Sequence, residues 1–237
     1  MIIGGSQALR KEINLTDPLK FLPATELTEM KKGEEIQIVG VHRLVLVVEG
    51  RLAVRHNAVI TDIVPAGSLV VVGVKTGTRT GTGTGTNGTE LADVTGLALM
   101  RTKLMMWEWQ EWERLTLERA ELGVALLNTI LDYLVRIRVR LESHAVDTVA
   151  KRLAKTLLEF AGRFGEEYES QVGRERVTGR FIGVFTHQLL ADYVGTSREI
   201  VTNWLNRFRE ERLIVYSRQG IVVRTEKMEA WVRKTKS

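Results

Sequence analysis

Cysteine is absent from the 237 residues. That excludes disulfides, cysteine nucleophiles, zinc fingers and cysteine-ligated iron–sulfur clusters. Histidine is scarce: His42, His56, His144 and His187 are the whole set, and their spacing is not that of a ligand cluster, so no metal is expected. No apolar run reaches the roughly 18 residues a membrane span needs. The first residues, MIIGGSQALRKEI, lack a basic region followed by an apolar one, so a secretory signal is not expected and a cytoplasmic location is. No Ser/His/Asp order, metal motif or Walker-type loop supports an enzyme. What is present is ordinary globular material, 44% hydrophobic and 27% charged. The length suits one large or two small domains.

The charge is unevenly spread. Lys and Arg total 34 against 29 Asp and Glu, a net of +5. Residues 1–145 hold 17 of each sign, whereas residues 146–237 hold 17 basic and 12 acidic residues. A basic segment joined to a neutral one is the electrostatic footprint of a nucleic-acid binder, although basic surfaces are common.

Residues 21–74 predict short strands. IQIVGV, RLVLVVEGRLAVRH and AVITDIVPAGSLVVVGV are rich in Val, Ile and Leu and are punctuated at Gly33, Gly50, Pro65 and Gly67. LADVTGLALMRTKLMMWEW (91–109) predicts two more, giving a small antiparallel barrel or sandwich. The Gly/Thr tract at 76–90 reads as a surface loop or, alternatively, as a loop whose amides cradle an anion.

Residues 108–144 predict one long helix. Leu127, Ile130, Leu134, Ile137 and Leu141 step by three and four, a heptad-like seam for a helix pair between two subunits. The alternative is a single helix lying on its own domain. Trp107, Trp109 and Trp112 are expected to pack that helix onto the strands. VDTVAKRLAKTLLEFAGRFG (146–165) predicts a second amphipathic helix, and RFIGVF (180–185) a short strand.

The most informative stretch is THQLLADYVGTSREIVTNWLNRFREERLI, residues 186–214. A first helix (187–194) would bury Leu189, Leu190, Tyr193 and Val194. Gly195 supplies the positive φ of a tight turn. Thr196 or Ser197 can cap a second helix (197–211) whose Ile200, Val201, Leu205 and Phe208 face back. Its opposite face carries Arg198, Glu199, Asn203 and Arg207. This is helix-turn-helix patterning, and VYSRQGIVV (215–223) would be a wing.

Here the sequence resembles the Crp–Fnr (cAMP receptor protein/fumarate–nitrate regulator) family, strongly over 146–223 and more weakly over 21–141. The resemblance implies an α+β chain in three parts: an antiparallel, cyclic-nucleotide-binding-like β-roll at 1–107, a dimerisation helix at 108–145, and a winged helix-turn-helix domain at 146–237. It implies a transcription regulator that binds a pseudo-palindromic operator in double-stranded DNA as a homodimer, with RNA polymerase as a possible further partner.

By residue type, Arg198 suits a guanine edge, Glu199 a cytosine amine and Asn203 an adenine edge. Arg198 could instead meet a phosphate, and Glu199 could close a capping box with Thr196. Thr186, His187, Ser197, Thr202, Arg207 and Arg218 are the phosphate candidates. A second reading is a ligand-binding module whose winged helix serves protein contact.

The family's cyclic-nucleotide cassette is not recognisable. Gly67–Gly73 contains no glutamate, and Thr89-Glu90-Leu91 stands where an Arg-Ser pair should. Arg79 lies in the Gly/Thr tract without supporting context. Cyclic AMP binding of the family kind is therefore not expected, no cofactor is assigned, and the effector is left open. Arg136, Arg138 and Arg140 could serve a 2-oxoglutarate-type ligand, be solvated flanks or make intersubunit salt bridges.

Overall fold

A computed structural model describes residues 22–23, 25–38, 43–56, 59–72, 94–172 and 175–235. The chain divides into two compact units, 1–134 and 135–237. The division falls within its longest helix.

Strand β3 (Arg43–Glu49) organises the first unit. A strand sends alternate side chains to opposite faces. Here Leu44, Val45, Leu46, Val47 and Val48 are all buried, so both faces are covered. Val45 and Val47 enter a core with Leu52, Val54, Val64 and Leu104. Leu44, Leu46 and Val48 enter another with Trp107, Trp112, Leu115 and Leu122.

The strands form two four-stranded antiparallel sheets. One joins β1 (Leu27–Met30), β8 (Thr102–Glu108), β3 and β6 (Ser68–Val72) in that order. The other joins β2 (Glu35–Gln37), β7 (Val94–Ala98), β4 (Arg51–His56) and β5 (Val59–Pro65). This is the β-roll that the sequence predicted. Trp107 and Trp112 pack helix against sheet as expected, and the Trp107 indole donates to the Pro23 carbonyl at 3.2 Å. The Trp109 side chain lies outside the described residues, as do the Gly/Thr tract, Arg79, Glu90 and His42. His56 is exposed at the end of β4.

The single helix expected over 108–144 is instead two, α1 (Trp109–Glu118) and α2 (Ala120–Val146). Arg119 between them is extended, at φ −144° and ψ 95°. The reason is a change of path. Helix α1 lies along β3 and β8, whereas α2 touches that core through Leu122 and Leu126 before leaving it. The break re-aims the chain, and no proline or glycine announces it.

The second unit takes the last twelve residues of α2, then α3 (Val149–Phe164), a hairpin of β9 (Glu166–Val172) and β10 (Glu175–Gly183), α4 (His187–Val194), α5 (Arg198–Glu210), β11 (Ile214–Ser217), β12 (Gly220–Val223) and α6 (Thr225–Lys234). Its sheet runs β11-β12-β10-β9. The strand expected at 180–185 is the end of a longer β10 that finishes at Gly183. Strand β9 and helix α6 were not anticipated. Phe160 anchors the core, with ring centroids 5.0 Å from Phe185 and 5.0 Å from Tyr193.

Candidate nucleic-acid interface

Two helices and a hairpin build the surface. Thr186 caps α4, its hydroxyl accepting from the Leu189 amide at 3.1 Å. Gly195 ends α4 in the left-handed region, at φ 72° and ψ 57°. A Cβ there would lie 2.8 Å from the His144 ring, so the turn needs glycine for conformation and for space. Ser197, not Thr196, caps α5, accepting from the Ile200 amide at 3.4 Å. The Thr196–Glu199 capping box is therefore not formed, because Glu199 sits one position too early. Leu189, Leu190, Tyr193 and Val194 of α4 are buried, as are Val201, Leu205 and Phe208 of α5. Ile200 was expected to face inward as well, but it is 40% exposed.

The outer face of α5 carries the residues singled out for base readout. Arg198, Glu199 and Asn203 are exposed. Neither Arg198 nor Asn203 spends its side chain on a hydrogen bond among the described residues. Glu199's own amide, then the Ser197 hydroxyl, hold its carboxyl below the usual carboxylate range, with a smaller contribution from Arg198. Asn206 is also exposed, one turn on from Asn203 and two from Glu199. The sequence reading missed it, although the spacing of three and seven places it on that face.

The phosphate candidates divide into two groups. Thr186 and Ser197 are exposed helix caps, and Arg218 is exposed at the tip of the β11–β12 wing. The others are occupied within the domain. Arg207 pairs with Glu211 at 2.8 Å and lies over the Trp204 ring. The Thr202 hydroxyl donates to the Arg198 carbonyl at 2.8 Å. It must then accept from His187 Nδ1–H, 2.7 Å away, and the other ring nitrogen accepts from the Tyr216 hydroxyl at 2.9 Å. Burial, then the Arg198 charge, lower the His187 pKa, in keeping with this neutral ring. To meet a phosphate, His187 would have to give up one of these bonds.

The expected seam on α2 is partly redrawn. Leu127, Leu134 and Leu141 are more than half exposed, but Ile130 packs against the unit's own core and Ile137 is half-buried. The exposed apolar stripe runs through Val124, Leu127, Leu131, Leu134 and Leu141, in heptad a and d spacing. Arg138 occupies the remaining a position and pairs with Glu142 of its own helix at 3.0 Å.

Among the described residues, no cluster of His, Asp and Glu could hold a metal ion, and no helix is long and apolar enough to cross a membrane.

Residues 151–231 match the Crp-like helix-turn-helix domain family. The chain also shares its fold with solved regulators. A CooA mutant from Carboxydothermus hydrogenoformans superposes with a TM-score of 0.66 at 15% identity, over 93% of this chain and 96% of that one. FixK2 from Bradyrhizobium japonicum gives 0.63 at 16%, over 88% and 97%. A Crp/Fnr-family transcriptional regulator from Eubacterium rectale gives 0.59 at 18%, over 98% and 95%. No curated protein sequence matches the chain. The C-terminal unit is thus a Crp-like helix-turn-helix domain. Over the rest of the chain the likeness to these solved structures is one of fold.

Proposed function

We propose that the chain is a cytoplasmic, sequence-specific regulator that binds a pseudo-palindromic operator as a homodimer. In this reading, the β-roll (1–107), the dimerisation region (108–145) and the winged helix-turn-helix domain (146–237) divide the work. The observation that carries it is the outer face of α5, where Arg198, Glu199 and Asn203 stand exposed beside an exposed wing tip. Helix α5 enters a major groove, and the half-sites fall about 34 Å apart. Arg198 donates to guanine O6 and N7, Glu199 accepts from cytosine N4, and Asn203 pairs with adenine. Thr186, Ser197 and Arg218 meet phosphates. Thr202, His187 and Arg207 hold the frame behind them.

A second copy covers the stripe of Val124, Leu127, Leu131 and Leu134, which no described residue of this chain covers. The pairing is a helix pair of the coiled-coil kind.

Selection of bound duplexes from a random pool tests this reading. A recovered palindrome with G·C in each half-site supports it, as does a steep loss of affinity with salt. Arg198→Ala should then cost about 1–3 kcal/mol and relax preference at one base pair. Equal weakening on all sequences would make Arg198 a phosphate contact. No enrichment by a protein that is dimeric in light scattering would mean that a ligand is required, and no enrichment after cyclic nucleotides, 2-oxoglutarate or cell extract are added would favour the protein-contact reading.

A further inference from the structure

A cleft of about 160 Å³ opens in the second unit between the end of α2, helix α3 and the end of α4. Its walls are largely apolar, from Val135, Val139, Val194 and the Tyr193 ring. Four cationic groups border it, Arg136, Arg140, Arg152 and Lys155, against one lining carboxylate, Glu159.

Two of these cations hold the helix-turn-helix in place. Arg140 lies over the Tyr193 ring, 4.1 Å from its centroid, and donates to the Tyr193 carbonyl at 3.0 Å. Arg152 donates to the Val194 carbonyl at 3.3 Å and the Gly195 carbonyl at 3.4 Å. These are carbonyls at the C-terminal end of α4, which lack helical partners. The turn into α5 therefore rests on two guanidiniums that also face the cleft. Val139 and Arg140 fall outside the a and d positions of the stripe through Leu131, Leu134 and Leu141.

We propose that this cleft binds a small apolar monocarboxylic acid, and that its occupation loosens the turn before α5. A carboxylate binds a guanidinium more strongly than a neutral carbonyl does, through paired charge-assisted hydrogen bonds. A carboxylate in the cleft therefore draws Arg140 and Arg152 from the end of α4. The volume sets the size, because a cavity of about 150 Å³ holds a single benzene-sized body. Glu159 sets the charge. It accepts from the Tyr193 hydroxyl at 3.1 Å and from Arg163 at 3.0 Å, and it repels a second acid group on the same ligand. Burial, then the Arg152 and Arg140 charges, lower the pKa of neighbouring His144, consistent with a positive potential at the site.

Binding of the acid stands independently, while its effect on DNA rests on the function proposed above. The probe is benzoate, with benzamide as its neutral isostere, titrated calorimetrically into the full-length protein without DNA. Benzoate should bind about tenfold tighter than benzamide, the discrimination of one charge-assisted pair. Val139→Trp, which fills the cleft from a half-exposed position, should abolish binding. Arg140→Gln, which keeps a donor for the Tyr193 carbonyl but removes the charge, should weaken it about tenfold. Circular dichroism checks that both variants fold. With a selected operator, saturating benzoate should lower DNA affinity several-fold for the parent protein and leave Val139→Trp unmoved.

No benzoate binding through the millimolar range overturns the proposal. So does equal binding of benzamide, or undiminished binding by a folded Val139→Trp. Binding that leaves operator affinity unchanged keeps the site and overturns the coupling. If no operator is recovered with or without added ligands, the DNA reading fails and the titration alone decides the site.

Discussion

The two units use different kinds of contact at the places that matter. In the first, sheet meets sheet and helix meets sheet through apolar side chains, from Val45 and Val47 on one side of β3 to Trp107, Trp112 and Leu115 on the other. The second has an apolar core too, but its helix ends are held by polar bridges. Arg140 and Arg152 cover the end of α4, and Arg180 donates to the Ala161 and Gly165 carbonyls at the end of α3. The buried Asp147 carboxylate accepts from Ser143 at 2.6 Å and Lys155 at 2.5 Å. Burial stabilises without direction, whereas hydrogen bonds hold only at defined distances and angles. A scaffold can be built from the first alone. A surface that must present particular side chains needs the second.

The comparison can be broken or sharpened by experiment. The largest expected effect is in the first unit. Trp107→Ala empties a fully buried site and should cost about 3–5 kcal/mol in urea unfolding, with the second unit's transition unmoved. Loss of both transitions together would show that the units are not separately held. Asp147→Ala should cost about 1.5 kcal/mol, the low end for charge-assisted bonds, because Lys155 is 39% exposed and screened by water. A neutral result would place the strength of the second unit in its apolar core. Ser197→Ala removes the α5 cap and should cost about 1 kcal/mol, with a further loss of operator affinity as the first turn frays.

The smallest expected effect is a pH dependence in the second unit. The pKa values of His144 and His187 are held below 6.5 in the fold, so the unfolded chain takes up their protons first. Stability should therefore fall as pH drops below about 6.5, and His187→Gln should reduce the slope. The Asp147 carboxyl adds a lower limb. Burial opposes its charge, but Lys155, Ser143 and Lys151 together keep its pKa below the usual value. Its contribution is complete above about pH 4 and is lost as pH falls through its depressed value. A flat stability profile from pH 7 to 5 would remove the histidines from this account.

Much of this organisation was readable in the residues. The Val/Leu-rich run at 43–48 announced a strand, and Gly195 with Thr196 or Ser197 announced the turn and cap before α5. Other features were hidden for identifiable reasons. The break at Arg119 has no helix breaker, because it arises from where the chain must go next. Ile130 and Leu131 are adjacent and both apolar, so spacing alone could not say which faces the core and which solvent. Strand β9 is rich in glutamate and shows no apolar run, since it is an edge strand held by backbone pairing to β10. Periodicity could mark His187 as polar and near the surface, but its bond to Tyr216 joins positions 29 residues apart.

That imidazole has a consequence for how fast and how tightly a partner is met. His187 touches α5 through Thr202 and the wing through Tyr216, while itself opening α4. Three elements are thus aligned before any encounter. The conformational entropy of bringing helix and wing into register is lost once, during folding, and need not be lost again at each binding event. Cutting this link should leave the complex recognisable while raising the entropic penalty of forming it.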